Sequence, residues 1–263
     1  MESESTPLRY VAIGDSLSEG VGDAPWPDGT PRGWTDRLAD LLAVQHAERG
    51  LVYANLAVRG YKAAQVRDTQ VAAALEMAPD VVTLTAGMND LLRPRIDFAE
   101  LRATLIDLVA PFTGAGARLV VVPIPNLTGI SPAGGLLDSR RRRLNAIYEH
   151  LAQDHGMEPV TDTTGTIFED PRAWDEDRLH LTSLGHERLA YAAAASLGAP
   201  PDFEWLAPPP GLPPRRTLRT EAAWCRQYVA PWLGRRLRGQ SSGDHRIAKR
   251  PDLTPWQPTP AGG

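Results

Sequence analysis

Two stretches of this sequence, far apart along the chain, hold the residue types that make a nucleophile, a base and a partner for the base. The first is Gly14-Asp15-Ser16-Leu17-Ser18-Glu19-Gly20, directly after an apolar run at 9–14. A serine just past a buried strand presents its hydroxyl at the strand's carboxyl end, where open α/β sheets hold their ligands. If a helix starts there, its first backbone N–H groups can face a developing anion. A plain turn followed by an N-cap serine would use the same residue types.

The second stretch is Trp174-Asp175-Glu176-Asp177-Arg178-Leu179-His180-Leu181-Thr182. Serine is a poor nucleophile at neutral pH and needs a base within hydrogen-bond reach. That base needs a partner to fix its tautomer and to stabilise the imidazolium. Asp177 and His180, three positions apart on a loop before a helix, can turn towards each other and supply both members. Of the six histidines, His46, His150 and His155 fall in or at the ends of amphipathic helices and His245 falls in the tail. His186 is the rival, but Thr182-Ser183-Leu184-Gly185-His186 puts it in the first turn of a helix, so the base is assigned to His180.

Serine chemistry on a carbonyl also needs donors aimed at the oxygen that becomes negative. Two strand ends offer them. One is 55–60, ending in Arg59-Gly60, where glycine allows close backbone approach. The other is Ala86-Gly87-Met88-Asn89-Asp90, where Asn89 can point its amide into a crevice. Each is also what an ordinary strand-ending turn looks like.

The elements that must position these groups are legible as alternation. Short apolar runs at 9–14, 51–57, 80–86 and 118–124, with a weaker one at 158–161, are rich in β-branched residues on both faces, as in strands buried between helices. Helical patterns lie between them at 33–48, 63–77, 98–114, 137–155 and 183–197; Leu101, Leu105, Leu108 and Val109 show the spacing. Repeated strand–helix–strand units imply right-handed parallel crossovers and a doubly wound α/β layer. After Gly198 the composition shifts to a proline-rich arm that cannot be helix or inner strand. A further helical pattern follows at 218–238, with Trp224, Tyr228, Trp232 and Leu233 available for one face. The reading is a catalytic domain at 1–198, an arm and helix at 199–238, and a basic, disordered tail at 239–263.

The 263 residues are 42% hydrophobic and 23% charged, with a net charge of −4. That is ordinary globular composition with enough apolar material for a core, and nothing in it points to nucleic acid or an anionic membrane. The tail from Gly234 carries six Lys/Arg against two Asp/Glu, a run whose plain role is a solvated surface. Cys225 is the single cysteine, so no internal disulfide forms. There is no apolar run long enough to span a membrane and no basic, apolar leader pattern, so the expected location is cytoplasmic. Oligomeric state is not legible.

The motifs taken together are more specific than any one of them. Gly-Asp-Ser-Leu near the N-terminus, a glycine after the second strand, Gly-x-Asn-Asp after the third and Asp-x-x-His near the domain's end occur in that order. This resembles the SGNH hydrolase superfamily, the GDSL esterases and lipases, over Leu8 to about Leu197. The chain as a whole looks similar to members from high-GC actinobacteria. The resemblance implies a three-layer α/β/α fold, flavodoxin-like, with about five parallel strands; the C-terminal helical extension after Gly198 lies outside the family's core pattern. It also implies roles: Ser16 as nucleophile and oxyanion N–H donor, Gly60 N–H and the Asn89 side chain as further oxyanion donors, His180 as base and then acid, and Asp177 as its orienter. It implies no metal and no organic cofactor.

The expected activity is hydrolysis of a small to medium acyl ester, either a carboxylester or an acylated sugar, through an acyl-enzyme on Ser16. Acyl transfer or thioester cleavage would use the same triad. A metal-dependent hydrolase built on Asp15, Asp177 and His180 would leave the serine, glycine and asparagine donors without a purpose. A non-catalytic binding protein would be expected to have lost one of these groups. The expected partner is a small acyl ester or acylated sugar, with no nucleic acid.

Overall fold

The computed structural model describes residues 6–160, 163–231, 234, 238 and 241–259. The apolar runs become five parallel strands. β1 (Leu8–Gly14) lies between β2 (Leu51–Asn55) and β3 (Val81–Thr85), and β4 (Arg118–Val121) and β5 (Glu158–Pro159) extend the sheet beyond β3. The spatial order 2-1-3-4-5 places the switch point between β1 and β3, where ligands bind in this topology. Register sets Gly14 beside Thr85, so the serine turn and the asparagine turn leave the sheet next to each other.

Side chains alternate across each strand, and helices cover both faces. On one face Tyr10, Ala12 and Tyr53 pack with Trp34 and Leu38 of α2 (Gly33–Gln45) and Leu189 and Ala193 of α8 (Ser183–Ser196). On the other, Val11, Ile13 and Leu84 meet Ala63 and Val66 of α3 (Ala63–Val66), which continues through a π-type turn at Arg67–Val71 into α4 (Ala72–Glu76). The same face carries α6 (Phe98–Gly114) and α7 (Pro132–His155) through Leu105, Leu108, Phe112, Leu144 and Tyr148. Each of the buried Val, Leu, Ile and Phe side chains among them contributes about 1.5–3 kcal/mol by leaving water. This is the three-layer α/β/α doubly wound sheet that the alternation implies.

The tail departs from expectation. Residues at 239–263 were expected to be unstructured, yet β6 (Arg250–Pro255) pairs antiparallel with β2 and closes that edge of the sheet. Two anchors account for it. Trp256 is buried edge-on against Tyr53 and Trp26. The Lys249 side chain is buried, with its ammonium 2.9 Å from Asp36 Oδ1 and on the carbonyls of Pro31 and Arg32 at 2.8 and 2.6 Å. Trp26, Pro31 and Arg32, in the loop before α2, thus pack on this tail.

The proline-rich arm crosses α8 and the turns before it. Arg172 donates to the carbonyls of Pro209 and Pro210, Ile167 N–H to Leu206 O, and Phe203 packs edge-on against Tyr191. A helix follows as α9 (Leu218–Trp224), running on through a π-type turn at Cys225–Val229. Trp232 and Leu233, expected on its apolar face, lie outside the described residues.

Candidate active site

At the end of β1 the chain turns abruptly into α1 (Ser16–Glu19), with Ser16 its first residue. Gly14 makes this possible: φ is +136°, and a Cβ there would stand 2.3 Å from Thr85 O. A buried Gln70, from the π-type turn, pairs both backbone groups of Gly14, at 2.7 Å to its N–H and 3.0 Å to its carbonyl. Asp15 caps α1 by accepting the Leu17 N–H at 3.2 Å. Thr85 donates to Asp15 Oδ1 at 3.2 Å and shares a hydrogen bond with Ser18 Oγ at 2.8 Å. Burial drives the Asp15 pKa up to about 6, against the Leu17 N–H, the Thr85 hydroxyl and the charge of His180, which all favour the anion.

Asp177 and His180 meet as the spacing suggests. His180 Nδ1 is 2.5 Å from Asp177 Oδ2, while Asp177 Oδ1 accepts the N–H groups of Leu179 and His180 at 2.9 and 3.0 Å. The loop folds back because Asp175 N–H reaches His180 O at 2.8 Å and Trp174 bridges Leu181. Burial works against the Asp177 carboxylate, but the His180 ring and the two backbone donors outweigh it and hold its pKa down to about 2. The imidazole therefore has a fixed anionic neighbour on Nδ1, which leaves Nε2 for chemistry.

Ser16, Asn89 and His180 line one cleft of about 70 Å³, whose other walls include Leu17, Met88, Leu92, Leu127, Trp174 and Leu179. Asn89 stands in α5 (Met88–Leu91) and donates from Nδ2 to Tyr61 O at 2.9 Å and to Asp15 Oδ2 at 3.3 Å. Gly60 does not line the cleft itself. It sits in the turn after β2 with φ +79°, and its neighbours on both sides reach the site, Arg59 through Glu19 and Tyr61 through Asn89. Among the described residues the N–H groups of Ser16 and Gly60 donate no hydrogen bond.

His186, the rival base, is fully buried and spent on structure. Its Nδ1 accepts the Trp34 N–H at 3.1 Å and its Nε2 donates to Val21 O at 3.0 Å. Burial lowers its pKa to about 4, so it is neutral at physiological pH. Gln70, Thr85 and the Glu19–Arg59 pair escape sequence reading, because nothing local marks contacts made 40 to 70 positions away.

Asp15, Asp177 and His180 do not form a metal-binding group, and among the described residues no three His, Cys, Asp or Glu side chains do. No helix among them is long and apolar enough to cross a membrane.

Residues 12–188 match the GDSL-like lipase/acylhydrolase family, so the chain belongs to that family. It is 35% identical over 90 residues to the uncharacterized protein YpmR of Bacillus subtilis (strain 168), an overlap covering 33% of this chain and 33% of that one. It thus spans about a third of the length of that curated relative. A catalytic mutant of Axe2, an acetylxylan esterase from Geobacillus stearothermophilus, superposes with a TM-score of 0.63 at 20% identity, over 78% of this chain and 99% of that one. LAE5, an α/β hydrolase from the metagenome of Lake Arreo, gives 0.61 at 21% identity, over 74% and 97%. The psychrotrophic esterase EstA from Pseudoalteromonas sp. gives 0.55 at 18% identity, over 72% and 96%. These likenesses are likenesses of fold.

Proposed function

We propose that this hydrolase cleaves small to medium acyl esters through an acyl-enzyme on Ser16. The observation that carries the reading is one cleft lined by Ser16, Asn89 and an imidazole whose other nitrogen is held by Asp177. In this mechanism His180 Nε2 takes the Ser16 hydroxyl proton as Oγ attacks the ester carbonyl. Asp177 keeps the proton on Nδ1 and stabilises the imidazolium. The carbonyl oxygen becomes an oxyanion held by the N–H groups of Ser16 and Gly60 and by Asn89 Nδ2. Collapse expels the alcohol, protonated by His180. Water, deprotonated by the same nitrogen, then attacks the acyl-enzyme and releases the acid and Ser16.

Asn89 already stands poised: Tyr61 O holds one amide hydrogen, and its other contact, to Asp15, is long at 3.3 Å. A small cleft walled by apolar side chains suits a short acyl group. The relative named an acetylxylan esterase makes acetylated sugars the first natural esters to try. Phosphorus-based inhibition of the relative EstA, named as inhibited by monoethylphosphonate, recommends a phosphonate as the probe of Ser16.

The test is hydrolysis of p-nitrophenyl esters from acetate to palmitate, with and without a chelator, by wild type and Ser16→Ala. The expected result is an optimum at short chains, no loss to the chelator and a dead variant that still folds. Equal turnover by both proteins would remove Ser16 from the mechanism.

A further inference from the structure

Glu19 closes α1 three positions after Ser16 and is 7% exposed. A carboxylate so far from water is costly unless its oxygens are bonded. Here every bond goes to one residue. Glu19 Oε1 accepts Arg59 Nε at 2.8 Å and Nη2 at 2.5 Å, and Oε2 accepts the Arg59 backbone N–H at 2.6 Å. The guanidinium sets direction and the backbone bond sets distance. Together they tie the helix that begins at Ser16 to the residue immediately before Gly60.

An ion pair removed from water is weak evidence of added stability, because well-packed apolar residues often serve as well. What this pair supplies instead is placement. α1 is only four residues long and has little internal bonding with which to hold a fixed distance. The turn it grips is pinned from the opposite side as well. A Cβ on Gly60 would lie 2.6 Å from Ser241 Oγ, and one on Gly243 would lie 2.2 Å from Arg59 O. With both sides held, the turn has no slack.

We propose that Glu19 and Arg59 are positioning residues that fix the Gly60 N–H relative to Ser16, so that oxyanion stabilisation depends on their contact. The proposal rests on the reading of Ser16 and Gly60 given above. A misplaced donor should cost less than a deleted one, which is worth about 10²–10³ in rate, so Glu19→Gln is expected to lose roughly 10- to 100-fold in kcat. KM should change little, since the loss falls on the transition state. Arg59→Lys, which keeps the charge and the backbone bond, should retain more of the rate than Arg59→Met. A Glu19→Gln/Arg59→Met double variant should cost about as much as Glu19→Gln alone.

The experiment counts working sites by fluorophosphonate titration and reports turnover per titrated site, so misfolded protein does not enter. It also measures the rate constant of phosphonylation, which places an oxygen in the same hole and needs no ester substrate. A fall in both rates per site, with KM steady, supports the pair as a positioning device. Unchanged rates per site with a lower melting temperature would overturn it, leaving a purely structural bond. Phosphonylation of wild type without turnover of any ester would sink the ester reading alone, and the pair is then decided by phosphonylation: a slower rate in Glu19→Gln supports it and an equal rate overturns it. Absence of labelling in wild type would overturn both.

Discussion

Arg178 and Glu221 meet fork to fork, with Nη1–Oε2 at 2.6 Å and Nη2–Oε1 at 2.8 Å. Arg178 lies between Asp177 and His180 and holds a φ of +57°, a conformation that costs a non-glycine residue about 1 kcal/mol. Its guanidinium also stacks 4.5 Å over the Trp224 ring, and Tyr228 reaches Glu176 at 2.7 Å. The extension beyond the arm therefore grips the loop that carries Asp177 and His180.

Glu221→Ala should release that grip and lower kcat by about three- to tenfold, the equivalent of roughly 1 kcal/mol for a charge-assisted pair. Arg178→Gly separates the two effects, because glycine takes the positive φ freely but offers no guanidinium. Steady-state kinetics on both variants decide the matter. Unchanged kcat in the pair would mean that α9 is merely attached.

Asn89→Ala should cost about 10²–10³ in kcat, the worth of one oxyanion donor, with the fold intact. The measurement is kcat with the best short ester, alongside circular dichroism. A rate within twofold of wild type would move the oxyanion site elsewhere.

His186→Ala should spare the rate per folded molecule and instead destabilise by about 2–4 kcal/mol, through lost packing and two stranded backbone partners. The penalty depends on pH. A histidine with a native pKa of about 4 binds its proton more readily when unfolded, so its stabilising contribution is present above about 6.5 and lost as pH falls towards 4. Urea midpoints of wild type and variant should therefore converge on acidification. Parallel curves from pH 7.5 to 4.5 would contradict the linkage.

Lys249→Met should be among the most damaging tail substitutions, at about 3–5 kcal/mol, because it strands the buried Asp36 carboxylate without its cation. Burial pushes the Lys249 ammonium below its ordinary pKa, opposed by the Asp36 charge. Adding Asp36→Asn should restore much of the loss, as removing both charges leaves no orphan. Chemical denaturation of the single and double variants tests this. A double variant no better than the single would show that apolar packing at β6, not charge, sets the cost.

The parallel strands could be read because burial on both faces leaves runs such as Val81–Thr85, and the turn motifs because Ser16 and Asn89 stand where such strands end. Asp177 and His180 were legible for the same local reason, a spacing that closes on itself. β6 was not. Pro251 and Pro255 lack an N–H and suit only a sheet edge, and the stretch reads as polar coil. What places it is the burial of the Trp256 ring and of the Lys249 side chain, and their partners, Asp36 and Tyr53, belong to the other end of the chain. Glu19 and Arg59 were hidden likewise, since a charged pair 40 positions apart leaves no periodic trace.

The edge strand has a consequence for the order of events in synthesis. Ser241 to Trp256 are translated after every parallel strand, yet they brace the Gly60 turn and neutralise Asp36. A nascent chain can stack its five parallel strands and still present an unbraced Gly60 turn and an Asp36 carboxylate that has its Tyr53 and Trp26 donors but not its cation. Closing contacts of such long sequence separation is slow. Competence of the proposed site therefore waits on contacts that form only after the five parallel strands have been made.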